Sequence, residues 1–358
     1  MKVQVVIGAN YGDEGKGMVS GCLAREGRAL GDKTLTVFYN GTSQRAHTFE
    51  GVVNRCLAAG TEYGSDTFYH KQFVVDPISL LITQATPIID GECRVILPCD
   101  VIKNRRLEKD RGAARHGTCG FGLFEAVKRS KNQKYDLRIK ELLDPWMLYQ
   151  KLKDIEAQYG AFDDALYNTH YFMIAANHIA TKCKIQSFDE VAGLYDRIIF
   201  EGGQGLMLDQ RNMDCYPHLT PSCPGSFFIS EDINKITSSP ELFYVSRSYA
   251  TRHGAGPMEM ECTKEEINPD IVDSTNIENE YQGALRFGKL DLNNLLKRVE
   301  NDTEFYRNPE VNMVFTQLNY TNHKLETVKG KMSILHPSFV DNIYLSDQKD
   351  YIEKWSVT

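Results

Sequence analysis

The chain has no apolar run near the roughly 20 residues that a membrane-spanning helix needs. Its nine cysteines, an odd number scattered from Cys22 to Cys262, form no C-x-x-C pair. That pattern argues against a disulfide framework and a zinc ribbon, and fits reduced thiols acting as small buried hydrophobes. Basic residues do not dominate: 41 Lys and Arg stand against 48 Asp and Glu, a net charge of -7. Broad nucleic-acid binding, which runs on basic surface, is disfavoured, whereas a local basic pocket for a small phosphorylated ligand is not. The opening MKVQVVIGANYGDEG turns polar too early for a secretory signal. A cytoplasmic protein with no membrane partner is expected. No repeat, low-complexity tract or linker divides the 358 residues, so one catalytic domain over 1–358 is expected.

What is present is a rhythm of short apolar runs. Val3–Ile7 is rich in β-branched residues, leads into a glycine-rich loop, and is followed by helical spacing over Met18–Arg25. Strand, glycine loop, helix is how an α/β nucleotide fold opens. Thr34–Tyr39, Phe73–Val75, Arg197–Phe200, Leu242–Ser246, Met313–Leu318 and Phe339–Leu345 are further predicted strands. Most are continuously apolar, as strands covered on both faces are. Helical patterns cover Ile139–Gln158 (broken near Pro145), Ala165–Thr181 and Leu290–Val299, where Leu292, Leu295, Leu296 and Val299 share a face. The fold class expected is α/β, a large mainly parallel central sheet with helical insertions.

The glycine loop reads G-A-N-Y-G-D-E-G-K-G over residues 8–17. Small residues let backbone N–H groups face an anion, the helix start adds partial positive charge, and Lys16 adds a full one. Walker A spacing fails: six residues separate Gly8 from Gly15, and Gly17 stands where a magnesium-binding Ser or Thr would. Asp13 is the informative residue. A carboxylate in an anion loop repels the ligand unless it binds a metal or moves a proton, although a helix-start cap is the structural alternative.

G-x-x-x-G-D-E-G-K-G after the first strand resembles the signature of the adenylosuccinate synthetase family. Asn40–Thr48 resembles that family's N-A-G-H-T loop, keeping His47-Thr48 and substituting Gln44-Arg45-Ala46. In the same order follow G-T-C-G-F-G (117–122), F-E-G-G-Q-G (200–205) with Leu208-Asp209, Y-P-H-L-T (216–220), and T-R-H-G-A-G-P (251–257), where the family carries valine for His253. The resemblance implies a P-loop-NTPase-related fold and a ligase that joins L-aspartate to C6 of a purine nucleotide. It implies Asp13 as base and Mg²⁺ ligand, the carbonyl near Ala46 as second ligand, His47 as donor to the transferring phosphoryl, and Lys16 on the phosphates. Gly12, Glu14, Gly15, Lys16, Gly17 and Thr48 would surround the triphosphate. Asn40, Thr118, Cys119, Gln204, Thr220 and Arg252 would hold the purine nucleotide. A homodimer is implied because one arginine of the family reaches this nucleotide from the second subunit; Arg129 is the nearest match, with Lys128 as the alternative.

Three departures matter. The family's T-K-L-D, which reads guanine, is Thr316-Gln317-Leu318-Asn319 here. Asparagine offers one acceptor and one donor, which matches adenine, so ATP or dATP is predicted, read by Gln317 and Asn319, with Arg286 alongside. The aspartate loop T-T-G-R-R-R-R-x-G has become Tyr281–Gly288, keeping only Arg286; Gln282 and Thr275 complete the predicted aspartate contacts, with Arg45 and Asn276 as further candidates. The chain is also short for the family. Together these resemble a phage branch that uses dGMP in place of IMP, with ATP or dATP as donor, to make N6-succino-2-amino-2'-deoxyadenylate for 2-aminoadenine DNA. The rivals are an ordinary family member using IMP and GTP, and a non-catalytic nucleotide switch.

Overall fold

The computed structural model describes residues 1–160, 162, 164–273, 281–320, 337–348 and 350–355. Ten of its strands belong to the main sheet: β1 (Lys2–Gly8), β2 (Thr34–Phe38), β3 (Asp66–Tyr69), β4 (Ile88–Ile89), β5 (Lys184–Ile185), β6 (Arg197–Gly205), β7 (Glu241–Arg247), β8 (Glu310–Thr316), β9 (Asn342–Leu345) and β10 (Glu353–Trp355). They form one sheet in the order β10-β9-β8-β7-β1-β6-β2-β3-β4-β5. Every pairing is parallel except the edge pair β9–β10.

The alternation of side chains explains why the central strands read as unbroken apolar runs. Val3, Val5 and Ile7 of β1 face one core with Leu35, Val37, Ile198, Phe200, Leu242 and Tyr244. Val6 faces the other with Ile199, Phe243, Val245 and Val314. α1 (Lys16–Leu30) covers that second core through Met18, Val19, Leu23 and Ala24. α2 (Leu292–Thr303) covers the first through Leu292, Leu295, Leu296 and Val299, the predicted face. Burying each such side chain contributes about 1.5–3 kcal/mol, so the two-faced cover anchors the centre of the sheet.

The predicted break near Pro145 is real. A 3-10 turn over Ile139–Leu143 ends there, and a helix over Pro145–Tyr159 begins with Asp144 accepting from the Trp146 and Met147 amides. The second predicted helix starts late, at Thr169, because Asn168 caps it. Phe73–Val75 is corrected: only Val74–Val75 is extended, and it pairs with Arg94–Val95 outside the main sheet. β4 and β5, two residues each, escape any periodicity argument.

β1 lies between β7 and β6, so the loops after β7, β1, β6 and β2 all open at one edge, the carboxyl ends of the strands. That is where ligands bind in open parallel sheets.

Candidate active site

The loop after β1 turns at Gly12 (φ 122), Asp13 (φ 61) and Gly15 (φ 99). Aspartate is among the few side chains that tolerate the left-handed region, and here the turn leaves its carboxyl half in solvent. Arg247, at the end of β7, donates from Nε to the Asp13 carbonyl (2.5 Å) and pairs with Asp273 (2.9 Å). Arg298 of α2 donates to the Ala9 carbonyl (2.8 Å) and to Asn10 Oδ1 (2.6 Å). Two buried or half-buried arginines thus brace the loop from either side. The Asp13 carboxylate faces His253, Nε2 to Oδ2 3.9 Å.

The loop's anion cradle is closed by its own chain. Glu14, 2% exposed, accepts from the Asn10 (3.1 Å) and Gly12 (2.8 Å) amides and from Lys16 Nζ (2.7 Å). These are donors of the kind a phosphate would take. Gly15 and Gly17 flank the start of α1 as predicted. A Cβ on Gly17 would lie 2.5 Å from His47 Cβ, which is why glycine stands there: the strand His47–Phe49 passes directly over the helix start.

His47 sits in a buried trio. Its Nδ1 lies 2.6 Å from Glu201 Oε1 and 2.8 Å from Arg45 Nη2, and Arg45 pairs with the same Glu201 oxygen. One carboxylate oxygen accepting from both fits Nδ1–H as the donor and leaves Nε2 for the site. Burial, and then Arg45, lowers the His47 pKa from 6.5 to about 4, against the opposing pull of Glu201. Burial alone would raise Glu201, but Arg45 and His47 hold it below the ordinary carboxylate range. Arg45 also lies over the Phe38 ring, 3.4 Å from its centroid. It is therefore corrected as a candidate for binding aspartate: at 3% exposure it is committed to Glu201.

The mononucleotide side is built from crossing loops. Asn40 accepts from the Gly203 amide (2.8 Å) and donates to Gln204 Oε1 (2.6 Å), so Gln204 keeps its amide N–H groups for a base. Thr118 Oγ1 accepts from Asn104 (2.9 Å), and Glu108 accepts from the Gly117 amide (2.9 Å). A Cβ on Gly117 would meet Ala255 N at 2.6 Å, so the 117 and 254 turns interlock by backbone. Burial pushes the Cys119 thiol up to about 11, which keeps it neutral. Thr220 lies 3.2 Å from Ser222 Oγ. Arg252, 2% exposed, spends N–H groups on the Pro257 and His218 (2.9 Å) carbonyls, so it holds this loop's shape.

Two arginine assignments need correction. Arg129 is 1% exposed; it pairs with Asp100 (2.8 Å) and donates to the Val95 (2.7 Å) and Tyr135 (2.5 Å) carbonyls. It is a core ion pair, not a reach into another subunit's site, and the case for a dimer that rested on it lapses; Lys128 is exposed beside it. Arg286 pairs with Glu261 (2.6 Å) and donates to the Gly254 (3.0 Å) and Gly256 (2.8 Å) carbonyls, which leaves it little for ATP or aspartate.

At the donor side, the Thr316 hydroxyl donates to the Glu14 carbonyl (2.7 Å), and Thr316 Cγ2 packs against Gly15. Gln317 is left-handed (φ 59), its carbonyl accepting from Ser248 (3.1 Å), and Asn319 follows, exposed, in the Leu318–Tyr320 turn. Segment 316–319 and the loop after β1 are thus tied together. Thr48 lies half-buried next to His47, and Gln282 lies in the turn before Arg286–Gly288. Thr275 and Asn276 fall outside the described residues.

For magnesium, Asp13 offers a hard, solvent-facing oxygen, and the exposed Ala46 precedes His47 against the α1 start, so the donor set fits. Among the described residues no cluster of three or more acidic, His or Cys side chains competes with it. No helix among them is long and apolar enough to cross a membrane.

Sequence reasoning missed Glu201, Arg247, Arg298 and His253. Glu201 lay inside a quoted motif, and His253 was a visible departure from valine; the two bracing arginines gave no local signal.

The adenylosuccinate synthetase family model matches residues 5–301. The adenylosuccinate synthetase of a Cyanothece strain is 29% identical over 286 residues, 72% of this chain and 62% of that protein. That of Prochlorococcus marinus is 26% identical over 299 residues, 75% and 66% of the two. The matched region thus spans less than two thirds of those relatives. Among solved structures, the fully ligated Plasmodium falciparum adenylosuccinate synthetase superposes with a TM-score of 0.70 at 17% identity, covering 89% of this chain and 78% of that one. The cyanophage S-2L succinoaminodeoxyadenylate synthetase, bound to dGMP and to dATP as an energy donor, gives 0.65 at 13% identity, covering 99% and 95%. At these identities the structural likeness speaks to the fold, and the family-model match to descent. The chain belongs to the adenylosuccinate synthetase family.

Proposed function

We propose that this chain is a ligase that condenses L-aspartate with a 6-oxopurine mononucleotide, driven by nucleoside triphosphate hydrolysis. The observation that carries the reading is the pairing at the start of α1: Asp13 faces solvent from the loop, while His47, held by Glu201, abuts Gly17 in the first turn. In this reading Asp13 takes the N1 proton, O6 attacks the γ-phosphoryl group, and the aspartate amine then displaces phosphate from C6. His47 stabilises the charge on the transferring group from Nε2. Lys16 leaves Glu14 for the triphosphate. Mg²⁺, held by Asp13 and the Ala46 carbonyl, would neutralise the phosphates when bound.

The finer reading is dGMP as acceptor and ATP or dATP as donor. Asn319 in the guanine-reading position supports the donor. The near end-to-end match with the phage synthetase supports the acceptor, because the chain covers 95% of that protein. The second reading, an ordinary enzyme using IMP and GTP, is favoured by the names of the curated relatives.

Purified protein would be offered IMP, GMP or dGMP with aspartate, Mg²⁺ and ATP or GTP, with succinyl-purine followed by chromatography. Product from dGMP with ATP supports the finer reading. Product from IMP with GTP alone replaces it with the second. No product from any pair ends the ligase assignment.

A further inference from the structure

The loop after β1 parts the mouth of the sheet into two flanks. β6 and β2 lie on one side of β1, and the ends of those strands bring Gln204, Asn40 and His47. β7 lies on the other side, and the chain leaving it runs through the short strand Ala250–Arg252 to His253.

His253 is held in place from both ends. The strand before it pairs with Arg286–Gly288, Arg252 opposite Arg286. The turn after it, at Gly254 (φ 84), interlocks with the neighbouring loop: a Cβ on Gly254 would lie 2.8 Å from the Gly117 carbonyl oxygen. The imidazole is 14% exposed, and its Nε2 lies 3.9 Å from Asp13 Oδ2. In the motif that T-R-H-G-A-G-P resembles, this position is valine. The chain has exchanged a side chain with no polar atom for one that can accept a hydrogen bond at a ring nitrogen. No step assigned to Asp13, His47 or Lys16 uses it.

On a 6-oxopurine, N1 lies between C6 and C2. With N1 at Asp13 and O6 turned toward His47 on the β6–β2 flank, C2 faces the β7 flank and His253. Guanine carries an amino group at C2; hypoxanthine carries only a hydrogen. The N1–H bond of guanine and one N–H bond of its amino group point the same way, so two acceptors a few ångströms apart can take one each. Asp13 Oδ2 and His253 Nε2 have that spacing. Valine would be indifferent to the amino group. A site built around a substrate N–H discriminates against the analogue lacking it, because the acceptor is then left desolvated and unpaired.

We infer that His253 is a specificity-determining residue: its imidazole accepts from the exocyclic 2-amino group and selects guanine over hypoxanthine in the acceptor mononucleotide. This rests on the ligase reading, which sets the pose of the purine at Asp13.

The test uses the full chain with dGMP and dIMP, which differ only in the 2-amino group. Calorimetry on the wild type should show dGMP bound about tenfold more tightly. His253→Val should abolish that difference by weakening dGMP while Mg²⁺–ATP affinity holds. His253→Gln, whose amide oxygen can accept, should recover part of it. A residue that only steadied Asp13 would change both nucleotides alike. Equal binding of the two by the wild type overturns the proposal, and so does a preference that survives in His253→Val. Should that variant fail to fold, the wild type answers alone. In imidazole 15N spectra the His253 Nε2 signal should move with dGMP and stay with dIMP; movement with both alike, or with neither, overturns the proposal. The two readings fail separately. Succinyl-purine made equally well from dGMP and dIMP would sink the role of His253 and leave the ligase. A His253-dependent preference for dGMP without product from any donor would sink the ligase and leave the contact to the base standing.

Discussion

Glu14 and Glu201 are both buried carboxylates close to α1, and each holds cationic or N–H partners, yet they occupy opposite kinds of place. Glu14 sits in a loop at the mouth of the sheet, and its donors are those a triphosphate needs. Under the proposed function an incoming phosphate would replace it oxygen for oxygen, which would make its contacts exchangeable. Glu201 lies within β6 at 0% exposure, and its partners Arg45 and His47 have no water to turn to. Its contacts are permanent, and their effect is to aim one imidazole. The comparison teaches that the chemistry of an ion pair does not decide whether it is a switch or a strut; the alternatives available to each partner do.

The largest expected effect comes from the carboxylate outside both clusters. Asp13→Asn should cut turnover by about 10²–10⁴-fold while ATP binding persists, measured by steady-state kinetics beside calorimetry. Unchanged turnover would remove the proton-abstraction role. Next, Glu201→Gln strands Arg45 in the interior and should cost about 3–5 kcal/mol, read as a lower urea midpoint, with Arg45→Met in the same chain restoring part. A loss below 1 kcal/mol would mean that the Glu201 cluster is as exchangeable as the other. A third effect follows from His47. The folded chain keeps it neutral down to about pH 4, whereas the unfolded chain protonates it near 6.5. Acid between those values therefore favours unfolding, and the stability lost there is on the order of 3 kcal/mol. Urea midpoints of wild type and His47→Asn should converge as pH falls through that window. Smaller still, Asn319→Asp should move donor preference from ATP toward GTP by about tenfold. Finally, ADP with Mg²⁺ should shift the amide resonances of Asn10 and Gly12 while the His47 Nδ1 signal stays in place. Movement of both would erase the distinction.

The central sheet was legible because two-sided burial writes strands as continuous apolar runs, as in β1 and β7. β4 and β5 were illegible because two residues carry no period. The glycine-rich turn after β1 was legible because its signal is local: glycines, Asp13 and Lys16 lie within ten positions. Arg129 shows the limit. A Lys-Arg pair ending a helix looks like solvated charge, and the Asp100 that claims it lies 29 residues away. Arg45 misled for the same reason: its fate is set by Glu201, 156 residues on. Charges whose partners are distant in sequence are where reading a chain in one dimension fails.

The bond from the Thr316 hydroxyl to the Glu14 carbonyl makes β8 a ruler. Under the proposed function it would fix how far the nucleobase stands from the triphosphate, whichever base the next three residues select. Altering donor choice by exchanging residues 317–319 should therefore leave the reach to the γ-phosphoryl group intact, whereas lengthening the chain by one residue between 316 and 319 should spoil it for every donor alike.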